Sequence, residues 1–264
     1  QEFCEELVKE FEDKIIELGP ENVAAFIAEP IMASGGCIVP PDNYLKRIWK
    51  ICKKYDVLYI SDEVVTGFGR IGHFFSSEKV FDIVPDIITC AKGITSGYMP
   101  LGAVLFSDKL LSDIKKESAM FFHGYTYSGH PACCAAALKN IEIIKRDKIL
   151  EHVQEIEPYF HEKLKKLYEL PIVGDVRGKG LMAGIECVID KDSKEALVLD
   201  KAIGSRIDEE SIKLGLIIRP LYHICVLSPA LIITKSQIDT LVDKLYNAIE
   251  NSLKQLKVEG LWKG

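Results

Sequence analysis

Four short apolar runs, at residues 23–28, 57–60, 87–89 and 102–106, show almost no polar alternation. A strand with one wet face alternates apolar and polar side chains. A strand covered on both faces reads as an unbroken apolar stretch. Between these runs lie segments with helical spacing. Residues 2–18 place Phe3, Leu7, Phe11 and Ile15 on one stripe, closed by Gly19-Pro20. Residues 42–55 turn Leu45, Ile48, Trp49 and Cys52 inward, with Asp42 expected as the N-cap. Residues 108–116 and 131–146 also read as helix, and Pro131 suits a first turn. Strands alternating with helices predict an α/β fold, with a mostly parallel sheet flanked by helices and each strand buried on both faces.

Beyond residue 147 the texture changes. A charged helix to about residue 168 precedes strands at 172–176 and 181–188, a helix near 199–214, strands at 216–218 and 224–227, and a last helix from Ser236. This predicts a large domain over 1–147 and a smaller C-terminal α+β domain over 148–264. Two domains suit 264 residues, at roughly 100–200 residues per domain. With 48% apolar and 27% charged residues, the chain is neither disordered nor collagen-like. The net charge of −6 and the scattered cations give no basis for a nucleic-acid partner. No apolar run reaches the roughly 18 residues that would predict a membrane span. The first residues form neither a signal peptide nor an Arg-rich transit peptide. Eight cysteines in apolar or alanine-rich settings read as buried thiols in a reducing cytoplasm. His123, His130, Cys133 and Cys134 match no zinc spacing, so no metal is expected.

Gly67-Phe68-Gly69-Arg70-Ile71-Gly72 matches the dinucleotide-binding pattern, but its context does not. The stretch Asp62–Thr66 parts it from the preceding strand, a poor helix start follows, and no acid lies between Ile87 and Leu105. A flexible turn is the better reading. Asp62 falls just past the carboxyl end of the 57–60 strand, where open α/β sheets bind ligands. Alone, it is a loop or capping carboxylate. Lys92 falls just past the next strand, after apolar residues and beside Gly93 and Gly97. Desolvation there favours a nucleophilic amine, whereas a lone lysine is ordinarily a solvated charge. An acid and a lysine at the ends of successive strands face one crevice. Pyridoxal phosphate needs that pair: a lysine for the imine and an acid for the pyridine nitrogen.

AAFIAEPIMASGG, YISDEVVTGFGRIG, DIITCAKGITSGYMPLGAV and FFHGYTYSGHPACCAAAL resemble successive motifs of the class III pyridoxal-phosphate aminotransferases. VRGKGLMAGIE and GLIIRPL with LSPALIIT continue the match. The resemblance spans essentially the whole chain. It implies the fold type I architecture, pyridoxal 5′-phosphate as cofactor, amine and 2-oxo acid substrates, and a homodimer. Position by position, it implies that Lys92 carries the cofactor and Asp62 pairs with the pyridinium. It places Val64 against the ring and Glu29 near the 3-oxygen. It also implies that Thr126, with the Tyr125 backbone, reaches the phosphate of the neighbouring subunit's cofactor. Arg219 would pair with a substrate carboxylate. The bland alternatives are core packing for Val64, a side-chain turn for Thr126, a loop acid for Glu29 and a surface ion pair for Arg219.

His-Gly-Tyr-Thr-Tyr-Ser-Gly-His-Pro resembles the ω-amino acid and amine:pyruvate transaminases, while other branches usually place Asn at the position of His130. Ala230 stands where a second proline is common. The family has a long portion ahead of Gln1 that supplies the phosphate cup and a stacking aromatic, so the chain alone is expected to be inactive. An acetylornithine or 4-aminobutyrate aminotransferase, a class III mutase or decarboxylase, a dehydrogenase built on residues 67–72, and a non-catalytic oligomerising module are the rival readings.

Overall fold

The computed structural model describes residues 2–116, 121–192, 195–196 and 203–262. The chain divides into two compact units, one of residues 1–31 and 40–150, the other of 32–39 and 151–264.

In the first unit the strands are β1 (Ala25–Ala28), β2 (Leu58–Asp62), β3 (Ile87–Cys90) and β4 (Ala103–Phe106), adjacent in that order. β1, β2 and β3 run parallel and β4 antiparallel. The register pairs Ala28 with Ser61 and Asp62 with Thr89, so the parallel strands end at one carboxyl edge. The helices are α1 (Glu2–Leu18), α2 (Tyr44–Lys54), α3 (Ser76–Phe81), α4 (Asp108–Lys116) and α5 (Pro131–Arg146). α1 and α2 bury Cys4, Val8, Ile15, Leu45, Ile48 and Cys52 with Val57, Tyr59 and Ile83.

Burial of the strands on both faces does not hold in this chain. Among the described residues Ile27 is exposed, and so are Val104, Leu105 and Phe106 of the edge strand β4, whose side chains alternate between the two faces. Asp42 is not the cap of α2 either. Asn43 holds that place in a left-handed conformation, φ 63°, with no side-chain cap bond. His130 caps α5, its Nδ1 accepting from Ala132 N at 3.2 Å.

The second unit contains α6 (Ile149–Leu164), whose first turn lies in the first unit, then β5 (Val173–Lys179), β6 (Met182–Asp190), β7 (Glu195–Ala196), α7 (Ile203–Lys213), β8 (Arg219–Leu221), β9 (Ile224–Leu227) and α8 (Lys235–Val258). The sheet order is β5-β6-β9-β8, with β7 on β6, and every pairing is antiparallel. Its core joins Phe160 and Leu164 to Leu181, Ile185, Ile238, Leu245 and Ile249. α8 starts with a reciprocal cap between Thr234 and Gln237. The strand expected at 216–218 forms instead at Arg219–Leu221, where Pro220 is tolerated because β8 is an edge strand. The expected helix start at 199–202 lies outside the described residues.

The loop Met32–Val39 packs in this second unit. Arg177 Nε donates to Gly36 O at 2.9 Å, and a Cβ on Gly184 would stand 2.5 Å from that oxygen. All eight cysteines are free and seven are buried. No helix among the described residues is long and apolar enough to cross a membrane.

Candidate active site

Three adjacent parallel strands deliver three chemistry-bearing residues to one edge. Glu29 follows β1 directly, Asp62 is the last residue of β2, and Lys92 comes two residues after β3. The half-buried Asp62 uses one oxygen locally: Oδ1 accepts from Val64 N at 3.0 Å, closing a turn that also half-buries Val64. Its Oδ2 makes no hydrogen bond among the described residues. Lys92 opens a short 3₁₀ turn, Lys92–Thr95, with a left-handed φ of 39°. Its side chain is exposed and forms no ion pair among the described residues. The desolvation expected for it is therefore not supplied by the described residues. Glu29 is half-buried.

The turn carrying Lys92 is braced on two sides. Asn140, from α5, donates through Nδ2 to Gly93 O at 2.9 Å and to Ile94 O at 3.1 Å. On the other side Gly93 meets Gly67 and Phe68 so closely that a Cβ there would lie 2.9 Å from Phe68 Cβ and 3.2 Å from Gly67 O. Phe68 packs in a buried cluster with Cys90, Ile94, Ala137 and Ile144. The 67–72 segment is thus a packed turn rather than the flexible one expected, and no helix begins before Ser76.

Tyr125 and Thr126 lie in an exposed loop, where Tyr125 N donates to Ser128 Oγ at 2.9 Å. Arg219 lies in the second unit, exposed on β8. A groove lined by Phe75, Val84, Leu105 and Phe106 sits at the opposite, amino-terminal edge of β3 and includes none of these residues.

Two residues that the sequence reading passed over support this edge. Glu63 is completely buried beside Asp62, and Asn140 ties α5 to the lysine turn. The signals were an Asp-Glu doublet at a strand end with Ser76-Ser77 downstream, and an amide two residues past the apolar run that ends at Leu138.

A family model, Aminotransferase class-III, matches residues 1–249. The chain belongs to the class III aminotransferases. A putrescine–pyruvate aminotransferase of Pseudomonas aeruginosa is 45% identical over 235 residues, 89% of this chain and 51% of the relative. A probable γ-aminobutyrate transaminase 3, mitochondrial, of Oryza sativa subsp. indica is 41% identical over 98% of this chain and 52% of its own length. This chain therefore spans about half the length of these curated relatives. Among solved structures, an (S)-enantioselective ω-transaminase from Thermomicrobium roseum superposes with a TM-score of 0.91 at 42% identity, covering 96% of this chain and 56% of that one. A transaminase from the marine bacterium Virgibacillus gives 0.91 at 41% identity, covering 96% and 58%. These likenesses establish the fold type I architecture, and the class III aminotransferases are pyridoxal-phosphate dependent. The residues here fit that cofactor: the aldehyde needs an uncommitted amine, the pyridine nitrogen needs a carboxylate oxygen, and Lys92 and Asp62 Oδ2 are both uncommitted at one edge.

Proposed function

We propose that the full-length protein transfers an amino group from an ω-amino acid or primary amine to a 2-oxo acid, with pyruvate as the preferred acceptor. The observation that carries this reading is the shared carboxyl edge that brings Glu29, Asp62 and Lys92 together. Pyridoxal phosphate, when bound, supplies an aldehyde that takes the amino group and a ring that accepts the electron pair released beside it. Lys92 would hold the cofactor at Nζ and, once released from it, would move the proton of the donor carbon. Asp62 keeps the ring nitrogen protonated through Oδ2, while Oδ1 stays bound to Val64 N. Val64 and Glu29, at the same edge, would help hold the ring. Arg219 pairs with a substrate carboxylate as a planar fork. The cofactor belongs to the domain of residues 1–147.

The exposed loop carrying Tyr125 and Thr126 serves a second copy of the chain, with Thr126 donating to the phosphate in the partner subunit. The free thiols suit a reducing compartment, and we place the enzyme in the cytoplasm. The two named relatives act on putrescine and γ-aminobutyrate. Both compounds end in a primary amine, and they differ in whether a carboxylate closes the other end. Donor assays with a diamine and an ω-amino acid of matched length, each with pyruvate, test the reading directly. Alanine formation with either donor, and borohydride fixation of the cofactor on Lys92, are expected. Fixation on another lysine refutes the assignment. Product without amino transfer to the 2-oxo acid would favour a class III mutase or decarboxylase.

A further inference from the structure

Glu63 has no exposed surface, yet it accepts from five donor groups. Thr66 Oγ1 reaches Oε2 at 2.7 Å. Ser76 N lies 2.9 Å from Oε1 and 3.0 Å from Oε2, and Ser76 Oγ donates to Oε2 at 2.8 Å. Ser77 donates to Oε1 through N at 2.8 Å and through Oγ at 2.5 Å. An acceptor-only group is fully matched here by donors, which is the condition under which a carboxylate can stand out of water. The carboxylate fastens both ends of the 63–77 loop, and Glu63 N donates to Thr89 O of β3 at 2.9 Å.

That loop presses on the lysine turn. Gly67 N donates to Glu63 O at 3.0 Å, and a Cβ on Gly67 would sit 2.7 Å from the same oxygen. The next layer outward is Gly93, where a Cβ would stand 2.9 Å from Phe68 Cβ and 3.2 Å from Gly67 O. Glu63, the 67–68 turn and Gly93 therefore form a close stack that leaves no room for a side chain at Gly67 or Gly93. Lys92, at φ 39°, adjoins that stack. A non-glycine residue holds such a backbone only where its surroundings over-determine it. We infer that Glu63 is a positioning residue that sets the backbone of the Lys92 turn by clasping the 63–77 loop against Gly93.

The inference rests on the reading of Lys92 as the lysine that carries the cofactor. Three variants of the full-length protein test it: Glu63→Gln, Thr66→Val, and Glu210→Gln as a control. Glu210 is a buried carboxylate of the second unit, bonded to Lys213 and Gln255. Two measurements are made. One is backbone amide exchange at Ile94 and Ser96 in the apo-protein. The other is the rate at which Lys92 forms a borohydride-trappable imine with pyridoxal phosphate. A glutamine offers one acceptor oxygen in place of two. Glu63→Gln should therefore speed exchange at the turn and slow imine formation by about ten- to a hundredfold, the order that a misplacement of about 1 Å costs. Thr66→Val should shift both in the same direction by less, and it decides the matter if Glu63→Gln does not fold. Glu210→Gln should leave both unchanged even where stability falls. Unchanged exchange and imine rate in the Glu63 and Thr66 variants, or equal changes in the Glu210 control, overturn the clasp. Failure of unmodified Lys92 to form the imine overturns the reading of Lys92 instead, and the exchange measurement still judges the clasp.

Discussion

Replacing Asn140 with alanine removes both bonds from α5 to the lysine turn while leaving the helix itself unharmed. The two acceptors do not lose equally. Gly93 O keeps a second donor, Ser96 N at 3.2 Å, whereas Ile94 O has only the Asn140 amide at 3.1 Å among the described residues. A neutral hydrogen bond contributes about 1 kcal/mol net. The loss is then about 1 kcal/mol at Ile94 O plus a fraction of that at Gly93 O. Alanine is a better helix former than asparagine by about 0.6 kcal/mol, which offsets part of it. The global change should be small, about 0.5–1 kcal/mol, and the local one larger. The turn should open more often, because the helix propensity gained does nothing to hold it closed. Urea unfolding reads the first quantity and amide exchange at Ile94 and Ser96 reads the second. A global loss above about 2 kcal/mol, or exchange at the turn no faster than in the parent protein, would falsify the division between helix and turn.

Asp62→Asn should leave stability within about 0.5 kcal/mol, since the amide oxygen still accepts from Val64 N, yet slow the amine half-reaction by about 10²- to 10³-fold. Near-normal single-turnover rates would remove the electrostatic role. Arg219→Lys should impair a carboxylated donor more than a diamine, because an ammonium lacks the planar fork; equal losses in kcat/KM point to a structural arginine. Burial pushes His161 below its ordinary value of 6.5, outweighing the Gly180 carbonyl it faces at 2.9 Å. The unfolded chain then binds a proton that the folded chain refuses, so this contribution is complete above that ordinary value and drains away as pH falls below it. His161→Gln should flatten the fall of Tm in mildly acid solution, and an unchanged slope counts against the buried neutral ring. Gly184→Ala should cost about 1–3 kcal/mol, since its Cβ meets the Gly36 carbonyl at 2.5 Å; unaltered urea midpoints would mean that the Met32–Val39 loop yields freely.

The carboxyl edge was legible because parallel strands announce themselves as apolar runs, and the residue after each run is then the one at the crevice. Asp62 and Lys92 were found that way, whereas Glu29, at the end of β1, came only from the likeness of AAFIAEPIMASGG to the family motif. Glu63 was not, because its burial depends on Ser76 and Ser77 folding back from the start of α3, which no local pattern reports. The 216–218 run misled for the opposite reason. Leu216 and Ile218 are apolar because they pack into the core, while Ile217 is exposed. The ladder forms three residues later, where Arg219 pairs with Val226 and Pro220 with Cys225. Strand identity there follows from the partner β9 and not from the segment's own side chains.

The bond from Arg177 to Gly36 spans 141 residues of sequence. The second unit is discontinuous: its last 114 residues, 151–264, assemble around a segment, Met32–Val39, that leaves the ribosome far earlier. Closing so long a loop carries an entropic cost that grows only slowly with length, so the arrangement is affordable at equilibrium. Its burden is kinetic. Contacts of such sequence separation slow folding, and the segment must wait uncovered until β5 and β6 have been made. Expressed alone, residues 151–264 would present Arg177 without its carbonyl and the Gly184 groove bare. Chaperone dependence during synthesis should therefore track residues 32–39 more closely than the larger helices around them.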